Sequence, residues 1–297
     1  MSYKLLFSAL LLLGVFLFTT EMPYAQEQGV PSDSLVSISL KDGTTLTGKI
    51  VHEDEVSLKV VTPAELEVEV PRSSIISIKP LRGRMVEGQF YRFDPNYSRL
   101  MFAPSGRPLR KGEGYFFDTY VLFPGVAWGF TDNFSLMAGL SVVPGVDFGD
   151  QLLYLAPRIG FQTSDEFAMS FGALYATADR DAVGIAFAVA SMGQPDKSFT
   201  AGLGLGYTKL EDEDLEFGDH PVILLGGNVR LSNSTALVSE NWLITGGDFE
   251  FGNQPFALAI RFFGERLAAD VGAILIGEVI EEGFPIPWLS FTYNFGR

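Results

Sequence analysis

The chain has 297 residues, of which 47% are hydrophobic and 19% charged, and its formal net charge is −15. This acidity argues against a nucleic-acid partner, because phosphate binding needs clustered lysine and arginine. The chain has no cysteine, which excludes disulfide scaffolds, thiol catalysis and cysteine-ligated metal centres. We expect no cofactor.

The N-terminus predicts a secretory signal peptide over residues 1–25. Lys4 precedes an apolar run over 5–18, and Ala25 supplies a small residue for cleavage. This pattern is typical of signal peptides, and the run is shorter than the ~20 apolar residues of a membrane helix. We therefore predict cleavage after Ala25, with a short N-terminal segment over 26–33. A retained membrane anchor is the alternative.

Residues 34–80 predict a small module of five short strands. Asp42-Gly43 is a strong hairpin-turn pair, and residues 65–70 alternate glutamate with Leu, Val and Val. Five short strands favour an SH3-like barrel. The order of the Asp-Gly turn, Gly48 and the late Pro80 resembles the Sm-like variety of that fold. We expect a docking module for an unknown periplasmic partner rather than an RNA-binding domain.

The remainder of the chain predicts a second, larger all-β domain. Gly, Pro and Arg residues over 81–95 indicate a linker, and residues 96–297 repeat segments of about ten residues that alternate apolar with small or polar side chains. Such segments are typical of transmembrane β-strands, whereas the strands of a soluble sandwich usually run about 5–6 residues. We predict twelve strands, over 97–103, 114–130, 134–144, 150–162, 167–177, 181–192, 198–209, 220–231, 236–246, 256–263, 268–278 and 284–295.

The connections between these strands generally alternate in length, with the short connection over 178–180 as the exception, and this alternation assigns them to two ends of a barrel. Compact polar turns at 131–133, 163–166, 193–197, 232–235 and 264–267 separate longer connections, with 104–113 as the first of the longer set. Outer-membrane barrels have short periplasmic turns and longer external loops. A total of ten or fourteen strands stays open, because Pro124-Gly125 could divide the segment over 114–130.

The turn Trp128-Gly129-Phe130-Thr131-Asp132-Asn133 and the last strand resemble those of small outer-membrane barrels of Gram-negative bacteria. The last strand is similar to the C-terminal signal that the barrel-assembly machinery reads, although Gly296-Arg297 follow it. The residues that carry this signal are Leu289, Phe291, Tyr293 and Phe295. The resemblance implies an outer-membrane location, contact with outer-membrane lipid, and a periplasmic N-terminal module.

Three sets of charged residues are candidates for function. Strand alternation predicts that six of them point into the lumen and pair across it: Asp118, Arg158, Arg230, Glu240, Arg261 and Asp270. Three cations in the first long connection, Arg107, Arg110 and Lys111, could contact lipid phosphates. The acidic stretch with Asp212, Asp214 and Glu216 offers oxygen ligands, but its spacing is not that of a calcium-binding loop, so we predict no metal site.

These features favour a structural or narrow-pore role in the outer membrane, with a periplasmic docking module. A substrate-binding or diffusion pore for a small solute is the alternative. A third alternative is a membrane-embedded lipid hydrolase, but His52 and His220 are the only histidines and neither has an evident serine partner. We therefore do not expect an enzyme.

Overall fold

The computed structural model describes residues 35–81, 83–86, 89–179, 181–211, 214–246, 249–277 and 284–296. The predicted signal peptide and the segment over 26–33 lie outside these ranges. The chain divides after Leu81 into two compact units, and both are built from β-strands. Within the described residues, no helix is long and apolar enough to cross a bilayer.

The first unit is a five-stranded antiparallel sheet with the strand order β4-β3-β2-β1-β5. Its strands are β1 (Leu35–Leu40), β2 (Thr45–Glu53), β3 (Ser57–Val61), β4 (Glu67–Pro71) and β5 (Ile75–Pro80). Val36, Ile38, Leu58, Val60 and Val70 are buried in one cluster. These residues alternate along their strands because successive side chains of a strand point to opposite faces.

Short turns position the strands of this sheet. The predicted Asp-Gly turn is confirmed, since Gly43 adopts a left-handed φ of 86° and joins β1 to β2. In the turn before β3, Asp54 Oδ1 accepts the backbone N–H groups of Ser57 at 2.7 Å and Val56 at 2.8 Å. These hydrogen bonds, that from Ser57 first, lower the pKa of Asp54 below its ordinary value.

The second unit begins with a hairpin and continues as a closed barrel of twelve antiparallel strands. The hairpin pairs β6 (Gly83–Val86) with β7 (Gln89–Arg92), within the segment predicted as a linker. The barrel strands are β8 (Gly114–Thr119), β9 (Phe123–Gly129), β10 (Phe134–Leu140), β11 (Leu153–Gln162), β12 (Phe167–Ala178), β13 (Asp181–Gln194), β14 (Lys197–Lys209), β15 (Glu216–Arg230), β16 (Thr235–Ile244), β17 (Phe256–Phe263), β18 (Leu267–Leu275) and β19 (Ile286–Phe295). The predicted all-β class and the count of twelve strands are confirmed.

Closure of the barrel comes from β19, which pairs with β18 on one side and with β8 on the other. Phe295 lies opposite Gly114 in this register, so the described barrel starts and finishes at one end. That end also carries the compact connections before β10, β12, β14, β16 and β18. We call it the short-turn end, and the opposite end the long-connection end.

The start of the barrel differs from the prediction. The segment over 97–103 is not a barrel strand, and its regular pairing is limited to a single bridge between Arg99 and Pro104. The predicted strand over 114–130 is instead two strands, β8 and β9, which turn at Tyr120 and Val121 with φ values of 59° and 62°. The predicted total of twelve barrel strands is still correct, because one predicted strand is absent and another is two strands.

Candidate functional site

A segment that precedes the barrel strands fills part of the lumen. We call residues 93–111 the plug segment, because its side chains and backbone contact inward-facing residues of β11, β12, β13, β16, β17 and β19. Most of it is buried, including Asp94, Asn96, Ser98, Arg99, Leu100, Met101, Ala103, Ser105, Arg107 and Leu109. The lumen is therefore occupied by the chain itself.

Glu240 on β16 holds the turn of the plug segment. Its Oε2 accepts the backbone N–H groups of Met101 at 2.9 Å, Phe102 at 2.8 Å and Ala103 at 2.9 Å. Its Oε1 accepts the indole N–H of Trp242 at 2.9 Å. A carboxylate that receives this many N–H groups makes charge-assisted hydrogen bonds, which are stronger than neutral ones. Both oxygens of this buried carboxylate are satisfied.

Arg261 on β17 is the second anchor, and it is almost fully buried. It forms a bidentate pair with Asp270 on β18, at 2.7 Å and 2.9 Å. The same guanidinium donates to Asp94 of the plug segment at 3.1 Å and to the carbonyl oxygen of Leu100. One arginine therefore joins two barrel strands to the plug segment. The carboxylates of Asp94 and Asp270 are both buried.

Polar side chains on the other side of the lumen bind the backbone of the plug segment. Arg158 on β11 donates to the carbonyl oxygen of Ser98 at 3.0 Å. Ser170 on β12 donates to the carbonyl oxygen of Ser105 at 3.1 Å, and the Ser191 hydroxyl accepts the N–H of Gly106 at 2.8 Å. These contacts fix the backbone without ion pairs.

Arg230 on β15 makes a cluster of contacts at the short-turn end of the barrel. It forms an ion pair with Asp196 and donates to the carbonyl oxygen of Arg92. Its guanidinium also lies over the rings of Tyr91 and Phe263, at 5.8 Å and 5.1 Å from the ring centroids. The hairpin before the plug segment is thus fastened to the barrel.

Five of the six predicted lumen charges lie on inward-facing positions: Arg158, Arg230, Glu240, Arg261 and Asp270. Only Arg261 and Asp270 pair with each other. The others contact the plug segment, its hairpin or a turn instead of bracing one another directly.

The inward placement predicted for Asp118 is wrong. Asp118 pairs with Phe291 and lies on the same face of β8 as the exposed Phe116. The inward face of β8 carries Tyr115 and Phe117, which are buried in the lumen. The prediction assumed that the large apolar residues of each strand point outward, but β8 carries aromatic residues on both faces. Oδ1 of Asp118 is buried and lacks a hydrogen-bond partner within the described residues.

The predicted basic cluster does not lie at the long-connection end. Arg107 is buried and donates to the carbonyl oxygen of Gly193 in a short turn. Arg110 and Lys111 are exposed, and the backbone N–H of Lys111 donates to Asp132 in another short turn, at 3.1 Å. The location predicted for these three cations is therefore wrong, because residues 104–111 belong to the plug segment and not to a connection between strands.

The remaining candidates are placed as follows. Leu289, Phe291 and Tyr293 are exposed on the outer face of β19, and Phe295 stacks on Trp128 with a centroid distance of 5.7 Å. Asp214 and Glu216 are exposed, while Asp212 lies outside the described residues. The described part of the chain holds no group of three His, Asp or Glu side chains arranged to bind a metal.

Sequence reasoning missed the plug segment with its buried charges Asp94 and Arg99, and it missed the buried Asp196 in the turn between β13 and β14. Asp94 follows Arg92 in a stretch with three arginines and two glycines, which has the composition of a linker. One local signal was available, since the Asp94 carboxylate accepts the N–H of Asn96 at 2.8 Å, as Asp does in tight turns. That turn marks the entry of the plug segment.

A cavity of about 70 Å³ remains between the plug segment and the barrel wall. Its lining is mainly apolar and includes Phe102 and Leu109 from the plug segment, and Tyr115, Phe187, Leu224 and Trp242 from the barrel. Two arginines, Arg99 and Arg158, also reach it. Phe102, which lines this cavity, is 45% exposed.

The fold and this site define a class of protein, a twelve-stranded antiparallel barrel with its lumen occupied by the segment that precedes it. A scan against protein-family models found no matching family. A search of curated proteins found no similar sequence.

Proposed function

We propose that this chain is an integral outer-membrane barrel whose lumen is kept closed by the plug segment, and that it anchors its N-terminal module in the periplasm. The observation that carries this proposal is the set of hydrogen bonds that the plug segment donates to Glu240 and accepts from Arg261. A barrel held closed in this way is suited to a structural or adaptor role. We propose no enzymatic activity for it.

The outer face of the barrel supports a membrane location. Large apolar side chains project outward from strand after strand: Phe116, Val126, Ile159, Phe171, Leu203, Leu258, Ile260, Val271 and Phe291. Soluble monomers rarely expose contiguous apolar patches larger than a few hundred Å². Lipid is the natural solvent for such a surface, and a closed barrel leaves no unpaired strand edge in it.

The two ends of the barrel support the proposed orientation. In outer-membrane barrels the short turns face the periplasm, and the plug segment enters β8 at the short-turn end. The first unit precedes this entry in the chain, which favours a periplasmic module for an unidentified partner. Its five-stranded sheet is compatible with the Sm-like resemblance. The outward row on β19 supports recognition by the barrel-assembly machinery.

A narrow or gated pore for a small solute is the second candidate. The observation in its favour is the cavity beside the plug segment, which shows that the barrel is wider than its plug. Opening such a pore would require the plug segment to leave Glu240 and Arg261. The number and burial of those contacts favour the closed anchor.

Cell fractionation tests the proposal. The full-length protein should be recovered in the outer membrane, and unheated protein should migrate differently from boiled protein on a gel, because a closed barrel resists detergent. An epitope tag inserted within residues 26–33 should resist protease added to intact cells. Recovery in the soluble periplasm would contradict the membrane location, and cleavage of the tag in intact cells would contradict the orientation.

A further inference from the structure

In the part of the chain that the structure describes, three buried arginines, Arg99, Arg107 and Arg158, have no carboxylate within ion-pair distance, and two of them, Arg99 and Arg158, line the same cavity. Arg99 is 6% exposed and Arg158 is 8% exposed. Among the described residues, neither guanidinium has a carboxylate oxygen within 4.0 Å. This contrasts with Arg230 and Arg261, which are paired with Asp196 and Asp270. A buried charge without a partner is costly, and because Arg99 and Arg158 share one cavity, they need an explanation together.

The contacts of Arg99 satisfy only part of its guanidinium. It donates to the carbonyl oxygen of Met101 at 2.5 Å and lies over the rings of Tyr115 and Phe117, at 5.7 Å and 5.3 Å from the ring centroids. Its Nε is buried and has no hydrogen-bond partner in the described part of the chain. Among the described residues, Arg158 donates to the backbone carbonyl oxygens of Ser98 at 3.0 Å and Ser105 at 3.5 Å.

Both arginines line the same cavity, whose other walls are mainly apolar. Its volume of about 70 Å³ is several times the roughly 10–15 Å³ that a single water needs on this measure. Ligand sites in proteins are typically apolar cavities with a few convergent polar groups. Here the convergent groups are cationic, which selects an anion attached to an apolar body.

We propose that this cavity binds a small amphiphilic anion, with its apolar tail among Phe102, Phe187 and Trp242 and its carboxylate or phosphate on Arg99 and Arg158. The ligand supplies the negative charge that the two guanidiniums lack. Arginine forks match carboxylate and phosphate geometry. This binding site is a property of the lumen and does not depend on the cellular location proposed above.

Quenching of Trp242 provides the test, because this indole lines the cavity. The full-length protein in a non-ionic detergent is titrated with 8-bromooctanoate, and with the matched bromooctyl alcohol and bromooctyl-trimethylammonium ion. We expect saturable quenching by the carboxylate, with affinity roughly tenfold or more above that of the alcohol or the cation. Trp242→Phe should remove the saturable component.

Variants distinguish a ligand-binding role of Arg99 and Arg158 from a role that is only structural. Arg99→Gln and Arg158→Gln should each weaken binding of the carboxylate by roughly tenfold or more. Arg107→Gln is the matched control, since it removes a buried arginine of the plug segment that does not line the cavity. Val222→Phe keeps both arginines and fills the cavity, so it should abolish binding even if the arginine variants fold poorly.

A second arm distinguishes a free acid from a membrane lipid. Titration with a lysophosphatidylglycerol brominated on its acyl chain replaces the free carboxylate with a lipid phosphate. Saturation by either probe supports the proposal and identifies the source of the anion. Equal, non-saturating quenching by all head groups, or saturable binding that Val222→Phe leaves unchanged, would overturn it.

Discussion

Replacing Glu240 by alanine removes the carboxylate that holds the turn of the plug segment. The N–H groups of Met101, Phe102 and Ala103 would lose their common acceptor. Met101 and Ala103 are buried, whereas Phe102 is partly exposed, so water can satisfy only the N–H of Phe102 easily. The plug segment should therefore be released more often in this variant.

The size of the effect follows from these contacts. Leaving a buried N–H without an acceptor costs about 1–3 kcal/mol, and two such groups give about 2–6 kcal/mol. Water that enters the relaxed lumen can satisfy part of these N–H groups, so the expected free-energy cost lies in the lower half of this range, at about 3 kcal/mol. Since 1.4 kcal/mol is a factor of ten, the ratio of released to bound plug segment should rise roughly 100-fold.

A thiol placed in the plug segment measures this ratio. The chain has no cysteine, and Ser98 is 1% exposed with a hydroxyl that has no hydrogen-bond partner among the described residues, so Ser98→Cys is a conservative reporter. Where local opening limits access, the rate of maleimide labelling follows the population of the open state. We expect labelling of Ser98→Cys to be roughly 100-fold faster when Glu240→Ala is added.

The control for this experiment is Glu166→Ala, which removes an exposed carboxylate in a short turn and should leave the labelling rate unchanged. The heat-dependent gel shift should show that both variants retain the barrel. A Glu240→Ala labelling rate indistinguishable from that of the control would refute the reasoning.

Three other changes test the account. Gly106→Ala would place a Cβ 2.3 Å from a backbone carbonyl oxygen of the barrel wall, so it should displace the plug segment and speed labelling of the thiol reporter. The control is Gly149→Ala, whose Cβ would meet nothing within 4 Å and which should leave the labelling rate unchanged. Arg261→Met leaves Asp270 buried without its partner and should cost about 3–5 kcal/mol of stability in denaturant titrations of the folded barrel; an unchanged midpoint would be inconsistent with a buried pair. Backbone hydrogen bonds lower the pKa of Asp54. The stability that this carboxylate contributes to the first unit is therefore present above its unfolded pKa of about 3.9, and it is lost as the pH falls through the folded pKa. Susceptibility of residues 35–81 to pepsin should therefore rise over that range, and Asp54→Asn should flatten the rise.

The barrel itself could be predicted from the sequence because its strands alternate over many residues. The strand predicted over 167–177 corresponds to β12, Phe167–Ala178, and the strand over 256–263 coincides with β17. Each of these strands has an apolar outer face and an inner face made mostly of small or polar residues, which is a local property of the chain. The compact connections at the short-turn end were predicted in the same way, whereas the opposite end also has compact connections between β8 and β9 and between β12 and β13.

The plug segment could not be predicted in this way because its burial depends on distant residues. The run over 97–103 contains apolar residues, and a short apolar run does not distinguish a strand from another buried segment. Its partners, Glu240 and Arg261, lie well over a hundred residues further along the chain. The alternation of their strands predicted that Glu240 and Arg261 point inward, but nothing in the sequence predicted that they bind the plug segment.

Electrical recording from the purified wild-type protein in a planar lipid bilayer tests the closed lumen most directly. We predict no steady conductance above that of the bare bilayer, because the hydrogen bonds to Glu240 and the ion pairs of Arg261 hold the plug segment in the lumen. The Glu240→Ala variant should show openings under the same conditions. A large and stable wild-type conductance, unchanged in that variant, would contradict the account.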